Sequence, residues 1–312
     1  MYAGPALFIA LTLSGKVALF KIGLDMSRLT PQQEKIFNAG ERLIPGVTHD
    51  VDEEIRHRSS YLFFRKIIES DLASQDTEHC PVTILDLGCG TGHGSRELAE
   101  ITGSRVTGVD VSADSISYAK ENYSADNINY VVTDMEQLVA KMPVYDYIVS
   151  RHAIEHVPDG LNRCLSLKWT KRMMINVPYN EPPGNEFHLM TGITKESYSN
   201  YKNAEFFYED LSGLTYADEK HQGVNSIICV SSNSAMPPVS QILRFPFSAW
   251  KPSELQAQGY RLNNLEDHLE TRLAQLDIRL AQMGAQLNEI SMLPSVRVER
   301  KIRRMIHRLL SK

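Results

Sequence analysis

The glycine-rich run I-L-D-L-G-C-G-T-G-H-G at residues 84–94 is the first feature of the sequence that could do chemistry. Alternating glycines after an apolar run bring the backbone close to a ligand. In a dinucleotide-binding G-x-G-x-x-G loop, the third glycine starts the helix on which a pyrophosphate sits. Here His93 occupies that third position, three residues after Gly90. The observed G-x-G-x-G spacing, led by Asp86, therefore favours a small zwitterion without a pyrophosphate.

Two further acids follow the loop at the ends of predicted strands. Asp110 ends the strand over residues 105–111, and Asp134 ends the next strand along the chain. Ligands of open α/β sheets bind outside the carboxyl ends of the strands. We expect Asp110, with Val111 beside it, to accept the hydroxyls of a ribose. Asp134 is placed to accept an adenine amino group, with Met135 flanking the ring. Loop and acids together predict S-adenosylmethionine (SAM) as the cofactor; the alternative is a nicotinamide dehydrogenase.

The elements that position these residues form an alternating pattern. Short apolar runs alternate with helical segments over residues 82–150, which predicts βαβ units and a parallel sheet covered on both faces. A fifth strand is predicted at 173–178, and segments 206–216 and 225–231 can supply an antiparallel closing pair. A helix over 55–72 is expected to pack on the core. The predicted fold class is α/β, with a Rossmann-like sheet.

A heptad pattern follows this domain. Leucine, methionine or isoleucine recurs every seven residues from Leu255 to Ile290, and a second series is offset by four at Leu273, Leu280 and Leu287. The two series predict a coiled coil over residues 253–293 and hence a homo-oligomer. Leucine in the second series favours a trimer over a dimer. The alternative is a helix folded back on its own domain.

The C-terminal residues 294–312 predict a basic amphipathic helix. Residues 295–312 contain seven lysines and arginines against Glu299 alone, whereas the whole chain carries a net charge of −5. An apolar stripe from Val298 to Leu310 lies opposite the cations. Such a helix can lie on an anionic membrane surface or dock on a partner protein. Nucleic acid is not expected, because the acidic body would repel phosphates.

The rest of the chain sets the predicted boundaries. The extension at residues 1–26 has an apolar stretch far shorter than the roughly 20 residues that span a bilayer, and Met26 is an alternative start. A helical segment at 27–80 and the SAM-binding domain at 81–235 follow, and a linker at 236–252 precedes the coiled coil. The four cysteines show no metal-ligand spacing, which favours a reduced, cytoplasmic protein.

Residues 80–232 resemble class I SAM-dependent methyltransferases and, more narrowly, bacterial methyltransferases of O-antigen and polysaccharide biosynthesis. The narrower resemblance is carried by G-E-R-L-I-P at 40–45, His57 to Tyr61, Glu155-His156 and N-E-F-H at 185–188. It implies a cofactor site formed by Arg42, Tyr61, Asp86, Gly88, Cys89, Gly90, Asp110, Val111, Asp134, Met135 and Ser150. In this site Cys89 contributes backbone, and Ser150 leads from the fourth strand towards the sulfonium. Arg42 and Tyr61 cover the methionine carboxylate or, as the alternative, serve in packing and surface pairing.

The catalytic candidates are histidines. Methyl transfer to a sugar hydroxyl is an in-line displacement in which the protein orients the acceptor and removes its proton. His152, His156 and His188 are alternative general bases, with Glu155 beside His156 and Glu186 near His188. A divalent metal held by Glu155, Glu186 and a histidine is an alternative, but the spacing does not require one, so no metal is predicted.

The resemblance implies an O-methyltransferase acting on a carbohydrate. One form of this function is methyl capping of lipid-linked O-antigen, which terminates the chain at the cytoplasmic face of the inner membrane. The coiled coil and basic helix would then tether the domain to membrane or polymerase. The alternatives are a methyltransferase for a small molecule, such as a quinone precursor or nucleotide sugar, and a non-catalytic scaffold that keeps the SAM fold.

Overall fold

The computed structural model describes residues 29–40, 42–47, 51–74, 81–141, 143–219, 223–249 and 304–306. The chain divides into two units, Met1–Ala249 and Trp250–Lys312. In the second unit the described residues 304–306 are helical. The predicted N-terminal extension, the coiled coil and most of the basic helix lie outside the described residues. No helix in the described ranges combines the length and apolar character needed to cross a bilayer.

An eight-stranded sheet organises the first unit. Its strands are β1 (Val82–Leu87), β2 (Ser104–Asp110), β3 (Ile128–Val132), β4 (Val144–Arg151), β5 (Lys168–Pro178), β6 (Ala204–Asp210), β7 (Thr215–Tyr216) and β8 (Val224–Ser232). They are ordered β3-β2-β1-β4-β5-β8-β6-β7. Strands β1 to β5 pair in parallel, whereas β8 pairs antiparallel with both β5 and β6. The predicted mostly parallel sheet with an antiparallel closing pair is confirmed.

Seven helices accompany the sheet in the described part of the first unit. They are α1 (Pro31–Asn38), α2 (Val51–Ala73), α3 (His93–Leu98), α4 (Ala113–Asn122), α5 (Met135–Lys141), α6 (Gly160–Cys164) and α7 (Val239–Ile242). Two short 3₁₀ turns, Ile154–His156 and Lys195–Tyr198, interrupt the loops. The predicted helix over 55–72 is thus observed as part of α2.

The strands are buried on both faces, which explains their continuous apolar runs. Successive side chains of a strand point to opposite faces. Ile84 of β1 packs with Phe64 and Ile67 of α2 on one face, and Leu85 packs with Leu138 and Leu161 on the other. Two apolar layers therefore hold the central strands rigid.

A buried ion pair fastens α2 to the sheet. The guanidinium of Arg172 on β5 donates to both carboxylate oxygens of Asp71, at 2.7 and 2.8 Å, and both side chains are fully buried. Arg172 also donates to the Ser232 hydroxyl and the Pro237 carbonyl. The pair fixes the helix that lies behind the glycine loop.

Candidate functional site

A cavity of about 760 Å³ lies at the carboxyl ends of the parallel strands. Sheet order changes direction between β1 and β4, and open α/β sheets bind ligands at such a point. The glycine loop follows β1 in the middle, while β2 and β3 end on one side and β4 and β5 on the other. The lining includes Arg42, Glu53, Gly88, Cys89, Gly90, Asp110, Val111, Asp134, Met135, Arg151, His152, His156 and His188.

The glycine loop needs its glycines for two different reasons. Gly88 has a left-handed φ of +77°, and a Cβ there would lie 2.2 Å from the Cβ of Ala153. Gly94 sits under the ring of Tyr61, where a Cβ would lie 2.0 Å from a ring carbon. The amides of Gly88 and Cys89 both donate to the Val109 carbonyl at 2.9 Å. The loop is therefore held against β2 with its backbone at the cavity.

Asp110 ties the loop to the end of β2. One carboxylate oxygen accepts from the Gly90 amide at 3.0 Å, and the other accepts from the Ser112 amide at 2.8 Å. The guanidinium of Arg42 lies 3.2 Å from this second oxygen. Arg42 was predicted to cover the methionine carboxylate. The structure instead places it on Asp110, the predicted ribose acceptor, because the acidic side chain attracts the guanidinium there.

Asp134, Met135 and Val111 line the same side of the cavity. The Asp134 carboxylate accepts from the Gln137 amide at 2.8 Å and caps the start of α5. Val111 is 63% exposed, which leaves an apolar surface facing a ligand, whereas Met135 is buried. These placements leave the predicted adenine and ribose contacts sterically available.

Three of the predicted cofactor contacts lie behind the cavity. Asp86 is fully buried and accepts from the Tyr61 hydroxyl at 3.0 Å and the Ser95 hydroxyl at 2.6 Å. Burial raises the pKa of Asp86 to about 6, while these two hydrogen bonds oppose the shift. Ser150 is buried and donates to the Leu87 carbonyl at 2.8 Å. We therefore correct Asp86, Tyr61 and Ser150 to supports of the loop, because their polar atoms are used beneath it.

The three candidate histidines meet on the opposite side of the cavity. His152 and His156 follow β4, and His188 lies in the loop after β5. His152 has a left-handed φ of +46°, and its Nε2 lies 2.9 Å from the Ser226 hydroxyl. Burial, followed by the charge of Arg151, lowers the pKa of His152 well below its usual value. Its imidazole is therefore neutral at pH 7.

His156 and His188 are each oriented by an oxygen acceptor. The Nδ1 of His156 lies 2.9 Å from the Phe187 carbonyl oxygen. The Nδ1 of His188 is bonded to the Glu181 carboxylate. The sequence suggested Glu186 as the neighbouring acid, but that side chain is exposed, so the assignment is corrected to Glu181. Glu155 is fully buried beside both histidines.

A cluster of four polar residues, Arg151, Glu53, Ser60 and Glu209, was not predicted. Arg151 is almost fully buried, where its guanidinium contacts Glu53 and Ser60 at 3.2 Å each. Ser60 also donates to the buried Glu209 at 2.8 Å. These residues come from α2, β4 and β6, so only the fold brings them together. For Arg151 and Glu209, the apolar residues that precede them in β4 and β6 are the sequence signal of burial.

A histidine pair also lines the cavity near the glycine loop. The Nε2 of His93 lies 2.6 Å from the Nδ1 of His57. Burial, followed by the charge of Arg151, lowers the pKa of His93 to about 3. One neutral imidazole therefore donates to the other.

Residues 84–167 match the protein family described as a methyltransferase domain. The chain contains a methyltransferase domain. The domain is that of a SAM-dependent methyltransferase, and its cofactor is SAM. The alternative of a nicotinamide dehydrogenase is therefore excluded. The residues fit this cofactor: the glycine backbone reaches the cavity, and the Asp110 carboxylate lies beside it.

Curated relatives match parts of the chain. Identity is 37% over 82 residues with a ubiquinone biosynthesis O-methyltransferase of Nitrosospira multiformis, covering 25% of this chain and 34% of the relative. It is 32% over 144 residues with a malonyl-[acyl-carrier protein] O-methyltransferase of Halalkalibacterium halodurans, covering 44% and 50%. The chain thus spans half or less of the length of these two relatives.

Solved structures show similarity at low identity. The N-methyltransferase NodS from Bradyrhizobium japonicum, solved with S-adenosylhomocysteine (SAH), is 14% identical with a TM-score of 0.42. The similarity covers 57% of this chain and 87% of NodS.

Proposed function

We propose that the protein transfers the methyl group of SAM to a hydroxyl oxygen of a carbohydrate, with His152 as the general base. The observation that carries the proposal is the division of the cavity. Asp110 ends β2 and Asp134 follows β3, whereas three histidines follow β4 and β5. The glycine loop lies between these two sets, so a cofactor on the acidic side points its reactive end towards the histidines.

His152 is favoured as the base by its position next to the glycine loop. Its neighbour Ala153 packs directly on Gly88, which brings the His152 backbone to the loop that holds the cofactor. A left-handed residue that is not glycine is strained, and such strain is common at functional sites. Burial keeps His152 neutral at pH 7 but also makes it a weak base, so proton transfer to it is driven by the rising acidity of the hydroxyl as its oxygen bonds to the methyl carbon.

The chain's own residues need only orient and deprotonate the acceptor. The bound cofactor supplies an electrophilic methyl group on a sulfonium leaving group. The histidine side of the cavity holds the acceptor hydroxyl in line with this methyl group. As the oxygen bonds to the methyl carbon, its proton passes to His152.

An acceptor panel tests the substrate class. Full-length protein is incubated with SAM and with oligosaccharides, nucleotide sugars, a quinone precursor or malonyl-acyl carrier protein, and SAH formation is measured. We expect SAH formation with the carbohydrate acceptors and none with the quinone precursor or the carrier protein. Turnover confined to the quinone precursor or the carrier protein would contradict the carbohydrate assignment.

The second candidate is a methyltransferase for a small or carrier-bound molecule. The relatives that match part of this chain are named for ubiquinone biosynthesis and malonyl-[acyl-carrier protein] methylation, which favours this candidate. This candidate requires no membrane contact and no long glycan. The same acceptor panel distinguishes it from the carbohydrate methyltransferase, because the two candidates use different acceptors.

The C-terminal region supports a further part of the proposal. Heptads over 253–293 favour a homo-oligomer, and the cations of 294–312 favour contact with an anionic membrane or a polymerase at the cytoplasmic face. Capping of lipid-linked O-antigen would take place there. Sedimentation of full-length protein, alone and with vesicles containing phosphatidylglycerol, tests both points. A monomer that ignores the vesicles would contradict them.

A further inference from the structure

Glu155, His156 and His188 bring three metal-ligating side chains to one point of the cavity wall. The first two belong to the 3₁₀ turn after β4, and the third lies in the loop after β5. One ligand atom from each lies within 4.8 Å of the other two. The amides of Leu189 and Met190 both donate to the Glu155 carbonyl, at 2.9 and 3.0 Å. The backbone thus fixes the loop of His188 on the turn of Glu155.

Both histidines are arranged as metal ligands usually are. Carbonyl and carboxylate oxygens accept hydrogen bonds, so Nδ1 of His156 donates to the Phe187 carbonyl and Nδ1 of His188 donates to the Glu181 carboxylate. The lone pair of each ring is then on Nε2. Histidines that bind metals almost always donate their other ring N–H to a carboxylate or a backbone carbonyl. Here one acceptor is a backbone carbonyl and the other is a carboxylate.

The donor set also selects the class of ion. Two imidazole nitrogens and one carboxylate suit divalent transition metals, whereas Mg²⁺ and Ca²⁺ prefer oxygen ligands. Metal–ligand bonds of about 2.1 Å place neighbouring ligand atoms roughly 3 Å apart. Side-chain rotations that move the ligand atoms by less than about 2 Å therefore complete the site. Glu155 is fully buried, so its carboxyl group lies shielded from water beside the two histidines.

We infer that Glu155, His156 and His188 bind one divalent transition-metal ion at the acceptor side of the cavity. This departs from the sequence prediction of no metal, because the ligands come from two loops that only the fold unites. His156 and His188 line the cavity, so an ion held by them would be accessible to an acceptor bound there.

The role of the ion rests on the proposed function. An acceptor hydroxyl held on a bound ion would have a lowered pKa. Its O–H bond breaks and the proton passes to His152. The oxygen forms a bond to the methyl carbon, and the electron pair of the breaking carbon–sulfur bond stays on sulfur.

Cobalt binding tests the site without any acceptor. Full-length protein stripped with EDTA is titrated with Co²⁺, and visible absorption and equilibrium dialysis are recorded. We expect one Co²⁺ per chain at this site, with affinity reduced roughly 100-fold or more in H188Q and E155Q, and about 10- to 100-fold in E181Q. The matched control is His57→Gln, which removes one imidazole of the His57–His93 pair, outside the proposed metal site. We expect this variant to bind Co²⁺ with unchanged affinity.

Calorimetric binding of SAH to each variant verifies that it is folded. Unchanged Co²⁺ affinity in folded H188Q, or no Co²⁺ binding to folded wild-type protein, would overturn the inference. Co²⁺ binding together with no transfer to any saccharide would uphold the metal site and remove the proposed substrate. Saccharide methylation that survives complete removal of the metal would overturn its catalytic role.

Discussion

Gly88 and Ala153 are packed so closely that no side chain fits between them: a Cβ on Gly88 would lie 2.2 Å from the Ala153 Cβ. This contact joins the loop that holds the cofactor to the segment that carries His152. The acidic side and the histidine side of the cavity are therefore joined by a direct contact of Ala153 with the loop backbone, with no long side chain between them.

We predict that Gly88→Ala weakens SAH binding by at least about 10-fold, because the added methyl group must push the loop away from β4. Isothermal titration calorimetry measures the effect. The matched control is Gly103→Ala, which has a similar φ of +75° but open space around its Cβ. Equal SAH affinity in the two variants would show that the contact is not needed.

Asp110→Asn should weaken SAH binding by about 10- to 100-fold. The carboxylate accepts from Gly90 and Ser112 and faces Arg42, and a hydrogen bond to a charged group contributes about 1.5–3 kcal/mol. Asp126→Asn, an exposed acid in the turn before β3, is the control. A normal dissociation constant for Asp110→Asn would remove this residue from the cofactor site.

The buried pair between Asp71 and Arg172 predicts a stability effect distant from the cavity. Asp71→Asn leaves a buried guanidinium without its counter-charge, so the free energy of unfolding should fall by about 3–5 kcal/mol. Urea denaturation measures it. The control Glu100→Gln breaks an exposed pair with Arg96 and should cost about 1 kcal/mol or less. Similar losses in both variants would contradict the burial argument.

Glu209 predicts a dependence of stability on pH. Burial raises its pKa to about 7 from the usual 4.5. The folded protein therefore holds a proton that the unfolded chain releases, and stability is lost as the pH rises from about 4.5 to 7. In Glu209→Gln this loss, at most about 3 kcal/mol, should be absent. Urea unfolding at pH 5 and 7.5 measures it, and parallel behaviour of the two proteins would refute the assignment.

Much of the fold follows from local sequence, and less of the site does. Apolar runs and the glycine loop predict the parallel strands because their signals lie within a few residues. The burial of Asp86 beneath the loop was not predictable, since it depends on Tyr61 from α2. The pairing of His188 with Glu181 rather than Glu186 depends on how the loop after β5 folds back on Glu155.

The central claim is methyl transfer to a carbohydrate hydroxyl with His152 as base. The direct measurement uses SAM labelled with tritium in its methyl group, full-length protein and a saccharide acceptor. Wild-type protein should form a base-stable, labelled methyl ether, and His152→Gln should lower kcat by about 10²- to 10⁴-fold with unchanged SAH affinity. Label that enters no saccharide, or an unimpaired His152→Gln enzyme, would contradict the account.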